Sequence, residues 1–191
     1  DSLATQVDTF FMADYILARF NPRTLISKDK AIHIDKVTVK GGKMNLVTES
    51  CPIDEEGDTT TVNLTRIFHI KKPTERTVNP KELFHIKKVE IQEFSFSLLN
   101  RSARKLEYRG GINWDDLHID QINIKARQLR FEGGIMYGQA DDISFRESTG
   151  FTARHISGSS VKVGGGRTII NDLFMDDGMS EIRIPLFMME Y

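Results

Sequence analysis

The sequence predicts an all-β fold with a few short helices: an elongated, repetitive, mostly antiparallel curled sheet of groove or solenoid type. Three observations predict it. An apolar pattern recurs along the chain, it alternates one residue in two, and the alternation slips at matching places in each copy. The first copy runs Ile32-His33-Ile34, then Val37, Val39, Met44 and Leu46. The second runs Phe84-His85-Ile86, then Val89, Ile91, Phe96 and Leu98, and the third Leu117-His118-Ile119, then Ile122, Ile124, Leu129 and Phe131. Recurrence of one supersecondary pattern is the signature of a repeat architecture.

Alternation with period two is that of a strand with one buried face. Within each copy the parity slips once at Asp35-Lys36, Lys87-Lys88 and Asp120-Gln121. A strand keeps one face buried through such a slip only by a bulge or corner, so the sheet is expected to bend there. A second slip lies between Val39 and Met44, where Gly41-Gly42 suits the positive backbone angles of a tight turn, so each unit reads as a pair of strands.

Taken in order, residues 1–20 are too dense in apolar side chains for period alone to separate strand from amphipathic helix and are read as strand, then helix, with a helix-start signal at Asn21-Pro22. Asn79-Pro80 and Asn113-Trp114-Asp115-Asp116 occupy the same place before the second and third copies. Glu49 to Thr61 reads as an exposed acidic loop, Asn63 to Lys72 as a short helix and Lys71 to Asn79 as a linker. Beyond the third copy, turns are expected at Gly133-Gly134, Gly164-Gly165-Gly166 and Asp176-Asp177-Gly178, with short strands between them. The chain is thus expected to be one fragment, 1–191, of a longer repetitive β protein. Its units lie at about 32–46, 84–98 and 117–131, with a degenerate fourth at 168–184 around Ile170, Leu173, Met175 and Ile182.

Composition narrows the function. Of the 191 residues 39% are apolar and 28% charged, and the formal net charge of −1 gives no reason to expect a nucleic acid partner. Cys51 is the single cysteine, so neither an internal disulfide nor a thiolate metal cluster forms. No apolar run reaches the roughly 20 residues that span a bilayer, and the chain opens on Asp1 as an excised fragment does.

Catalytic and metal signatures are weak. The acidic cluster Asp54, Glu55, Glu56 and Asp58 lacks the alternating spacing of a calcium loop. His33, His85 and His118 share a repeat position and invite a metal reading, yet they fall on the polar side of the alternation with no recurring carboxylate or cysteine to orient them. Gly164-Gly165-Gly166-Arg167-Thr168 lacks the ending of a phosphate-cradling loop, and Gly158-Ser159-Ser160-Val161 is no nucleophile elbow. The expectation is a protein with no catalytic residue, metal or cofactor.

Asp1-Ser2-Leu3, the Ile-x-Ile-x-x-Val-x-Val unit closing on Asn45-Leu46, Val62-Asn63-Leu64, the run Ile112 to Leu117 and the run Phe145 to Phe151 together resemble the TamB family in its Bacteroidetes-type form. The match is to the N-terminal region of that translocation and assembly module, within the AsmA-like superfamily. The resemblance implies a periplasmic segment of a Gram-negative envelope protein whose full length is anchored in the inner membrane. It also implies an apolar groove for phospholipid transport between membranes and a role in outer-membrane assembly. An outer-membrane barrel of the TamA or BamA type is the implied partner, through regions not present here.

One continuous apolar face must close, stack or bind something apolar. The lining expected for phospholipid acyl chains is Val37, Val39, Met44, Leu46, Val89, Ile91, Phe96, Leu98, Ile122, Ile124, Leu129 and Phe131. The alternative is a non-enzymatic structural spacer or adhesin-like β module whose interior these side chains fill.

Overall fold

The computed structural model describes residues 9–20, 22, 32–51, 59–62, 82–101 and 111–190. Among these residues there is no α-helix, and ten strands form one sheet. They are β1 (Phe11–Met12), β2 (Tyr15–Phe20), β3 (Ile32–Cys51), β4 (Thr59–Val62), β5 (Glu82–Asn100), β6 (Asp116–Glu132), β7 (Ile135–Glu147), β8 (Thr152–Gly164), β9 (Arg167–Asp176) and β10 (Glu181–Glu190). The order across the sheet is β1, β3, β5, β6, β7, β8, β9, β10, with β2 and β4 also paired to β3, and the sheet does not close into a barrel. Every pair is antiparallel except β3 with β5.

That parallel pair carries the sequence repeat as its register. Ile32 stands beside Phe84, Ile34 beside Ile86, Val39 beside Ile91 and Leu46 beside Leu98. The third copy, on β6, runs the other way, so Leu117 meets Leu98, Ile124 meets Ile91 and Phe131 meets Phe84. An apolar alternation with two slips reads almost alike in both directions, and that is why it serves an antiparallel neighbour as well.

Each copy is one long strand, not the pair of strands expected. Gly41 and Gly42 have positive φ (59° and 123°), but β3 continues through them beside β5. Their role is a second bend, and it aligns with Glu93 (φ 53°) on β5 and Gln121 (φ 54°) on β6. The first slip is also a bulge. Ala18 faces Val37 and Phe20 faces Ile34, so two steps on β2 span three on β3 and keep Val37 on the face of Ile34. On β6, Asp120 faces Arg146 and Asn123 faces Ser144, which puts Ile119 and Ile122 on one face across Gln121. The bend line through Asp35 continues at Gln128 (φ 53°) on β6, Ser159-Ser160 on β8 and Asp172 (φ 50°) on β9, each at a register irregularity or a positive φ.

Turns close the later strands where glycine was expected to place them: Gly133-Gly134 between β6 and β7, Gly165-Gly166 between β8 and β9, and Asp177-Gly178 between β9 and β10. The turn before β6 is held by the Asn113 side chain, which accepts from the Asp115 amide at 3.1 Å. Residues 168–184 fall on β9, a turn and β10. Of the acidic loop, 49–51 belong to β3 and 59–61 to β4, while 52–58 lie outside the described residues, as do the stretches following Asn21-Pro22, at Asn63 to Lys72 and around Asn79-Pro80.

Candidate functional site: one apolar face of the sheet

The paired strands bring their repeat positions into transverse rows. One row reads Ile16, Val39, Ile91, Ile124, Ile143, Ile156, Met175 and Ile182, one residue from each of eight strands, every neighbour directly opposite the next. Directly opposed residues share a face, so this is one unbroken apolar stripe. Seven inter-strand steps of about 4.8 Å give it a length of about 34 Å. A second row, Ile32, Phe84, Phe131, Met136 and Val163, contains the stacked rings of Phe84 and Phe131, whose centroids are 5.9 Å apart. A third begins Phe11, Met44, Phe96 and Ile119.

Between them runs a row of smaller side chains: Ala18, Val37, Val89, Ala126, Ala140 and Gly158. It lies next to the first bend line, where a fold toward this face leaves little room. A Cβ on Gly158 would come within 2.6 Å of the Ile170 side chain. Phe94 fits the second bend in a related way. Its neighbour across the parallel pair is Gly42, which has no side chain, and the Phe94 ring meets that of Phe11 with centroids 5.9 Å apart.

All twelve residues expected to line the groove lie on this face, and every one is half-buried. Among the described residues only Val47, Phe94, Leu117 and Ala153 are buried apolar side chains. Ile16 and Ile182, at the two ends of the stripe, are about half exposed. Over β7 to β10 the stripe takes in Met175 and Ile182, which fall in the degenerate fourth copy of the sequence pattern, and Ile143 and Ile156, which fall in no copy. Bulges interrupt the alternation of those strands so often that Ile143, Ile156 and Met175 show no common period.

The opposite face is ionic. Lys36 pairs with Glu90 at 2.7 Å, Arg127 with Asp141 at 2.7 Å, Lys125 with Asp142 at 3.3 Å, and His155 Nδ1 with Asp142 at 2.7 Å. The Lys36 ammonium, hydrogen-bonded to Glu90, holds that carboxyl below the usual range. For Asp142 partial burial pushes upward, but the hydrogen bonds from His155 and Lys125 prevail and its pKa is lowered. His33 and His85 do meet, ring centroids 5.9 Å apart, whereas His118 stands opposite Ser97 and bonds Asp116 at 2.9 Å. The three histidines therefore form no column, because β6 runs antiparallel. Among the described residues no group of three His, Cys, Asp or Glu side chains is placed to hold a metal ion.

The arrangement offers apolar contact on one face and paired charges on the other. Among the described residues no helix is long and apolar enough to cross a membrane, which leaves crossing by strands unaddressed. No protein-family model, no curated protein and no solved structure matches the chain.

Proposed function

We propose that the apolar face carries phospholipid acyl chains, as a periplasmic segment of a TamB-like, AsmA-like envelope protein that moves lipid between membranes. The single observation that supports this reading is the eight-strand apolar row on a face whose side chains stay half-buried. Each methylene removed from water contributes about 0.8 kcal/mol, so an acyl chain lying along the stripe is held without any charged anchor. The scarcity of fully buried apolar side chains among the described residues favours an open groove over the filled spacer. The periplasmic setting, the inner-membrane anchor and an outer-membrane barrel partner rest on the sequence resemblance alone. Such a carrier is non-enzymatic and needs no cofactor.

The test is a photo-crosslinker at Val89 or Ile124 in the full-length protein in cells, followed by lipid extraction and mass spectrometry. Phospholipid adducts at those positions, with none at Lys88 or Lys125 on the ionic face, are expected. Adducts absent at both apolar positions, or equal on both faces, overturn the groove.

A further inference from the structure

On the ionic face one row departs from the pattern of paired charges. His33, His85, Arg130, Tyr137 and Lys162 are successive neighbours on β3, β5, β6, β7 and β8, and the row contains no carboxylate. The Arg130 guanidinium lies over the Tyr137 ring, 4.9 Å from its centre, and the Lys162 ammonium lies over the same ring at 5.8 Å. Among the described residues neither cation forms an ion pair; Lys36, Lys87, Lys125 and Arg127 on this face do, and Lys40 and Lys88 do not. Tyr137 on β7 thus stands between a guanidinium from β6 and an ammonium from β8, each attracted by its ring.

Lys162 stands over the Tyr137 ring and outside the lining of a concavity of about 420 Å³, which Arg130 and Tyr137 of this row line with His85, Gln128, Gln139 and Ser160. Its floor is the first bend line. The positive φ of Gln128 (53°) and the bulge at Ser159-Ser160 put these polar side chains on one face together. The Gln128 carbonyl oxygen is taken by His85 Nε2 at 2.7 Å, which leaves the amide nitrogen as a donor. Ser159 donates to Asp172 at 2.6 Å, so that carboxylate in the same bend is already partnered. Glu132, two residues from Arg130 on the same strand, forms no ion pair with it.

We propose that this concavity binds a phosphate group, with Arg130 and Lys162 supplying the charge and Gln128, Tyr137 and Ser160 neutral donors. A guanidinium fork presents two parallel N–H groups to two oxygens, and an ammonium with amide and hydroxyl donors satisfies the remaining ones of a tetrahedral anion. The volume exceeds that of a bare phosphate, so it accommodates the ester group attached to it. The site stands on the face opposite the acyl-chain stripe and does not depend on that reading.

The experiment uses the full chain at low ionic strength. Inorganic phosphate and glycerol 3-phosphate are titrated by calorimetry, and flotation is run with phosphatidylcholine vesicles with and without phosphatidylglycerol. Saturable binding is expected, reduced about tenfold or more in Arg130→Gln and in Lys162→Gln. Lys40→Gln, which removes the same charge elsewhere on the ionic face, is expected to bind as the wild type does. Circular dichroism of each variant confirms that the fold is kept. Binding of the dissolved probes assigns the site to a soluble phosphate ester. Binding only to phosphatidylglycerol vesicles, lost in the two variants, assigns it to a lipid headgroup. No saturable binding of any probe, equal loss in Lys40→Gln, or unchanged binding in both Arg130→Gln and Lys162→Gln overturns the proposal.

Discussion

Lys87 Nζ reaches Asp35 Oδ1 at 2.6 Å, tying the first bend of β5 to the first bend of β3 across the parallel pair. Both side chains are well exposed, 60% and 49%, so solvent screens the pair. Lys87→Ala is expected to cost less than about 1 kcal/mol in urea unfolding, and the difference is expected to shrink further with added salt.

Gly42 is a different case, because its constraint is backbone. Its φ is 123°, and a Cβ there would lie 2.2 Å from the Met12 carbonyl oxygen and 2.7 Å from the Ala13 Cα. Gly42→Ala is expected to destabilise by about 1–3 kcal/mol, since β1 must move or the bend must open. Gly134, also at positive φ but with nothing within 4 Å of the place a Cβ would occupy, serves as the comparison. Gly134→Asn is expected to cost less than Gly42→Ala in the same denaturation experiment.

Ala153 is 1% exposed, opposite Phe145 across the β7–β8 pair. Adding three carbons forces neighbours off their rotamers, so Ala153→Leu is expected to cost about 1–3 kcal/mol by denaturant unfolding. A wild-type midpoint in that variant is the result that rules out tight packing here.

The hairpin between β7 and β8 is held by Glu147, whose residue exposure is 1%. Its carboxylate accepts from the Thr149 hydroxyl, from the Thr149 amide at 2.8 Å and from the Ser148 hydroxyl at 2.9 Å. The Thr149 hydroxyl is the foremost cause of a pKa below the usual carboxylate range. Asp177, in the β9–β10 turn, is lowered in the same direction by the amides of Met179 and Ser180. A carboxylate depressed in the folded state adds stability above its unfolded pKa and loses it as pH falls through the folded one. Urea midpoints are therefore expected to be flat near neutrality and to drop below the usual carboxylate range. Glu147→Gln is expected to lower the midpoint at pH 7 and to make the acid drop shallower.

The parity slips at Asp35-Lys36 and Asp120-Gln121 are legible in the sequence because an amphipathic strand cannot change parity without a bulge. The offset between the first two copies reappears as the β3–β5 register, Ile32 beside Phe84, but the expectation of a mostly antiparallel sheet gives no sign that this pair is parallel. Strand direction is not legible, because the pattern of β6 fits Phe131 to Phe84 in reverse as well as Leu117 to Ile32 forwards. Gly41-Gly42 looks like a hairpin in the sequence because positive φ serves a turn and a mid-strand bend equally well. Of the site, the twelve lining residues share a face as their alternation implies. The Arg130, Tyr137 and Lys162 row is invisible in the sequence, since it exists only through the pairing of three strands.

Because the bends fall at matching heights on neighbouring strands, the sheet has nearly the same profile wherever it is cut between β3 and β6. Such a body behaves like an extrusion. Its cross-section is set by the spacing of the bends: Gly41 lies six positions after Asp35, Glu93 six after Lys87, and Gln128 seven after Gln121 on the antiparallel β6. Its length depends only on how many strands are laid side by side. Evolution can thus lengthen this protein by duplicating a strand without reshaping what it encloses.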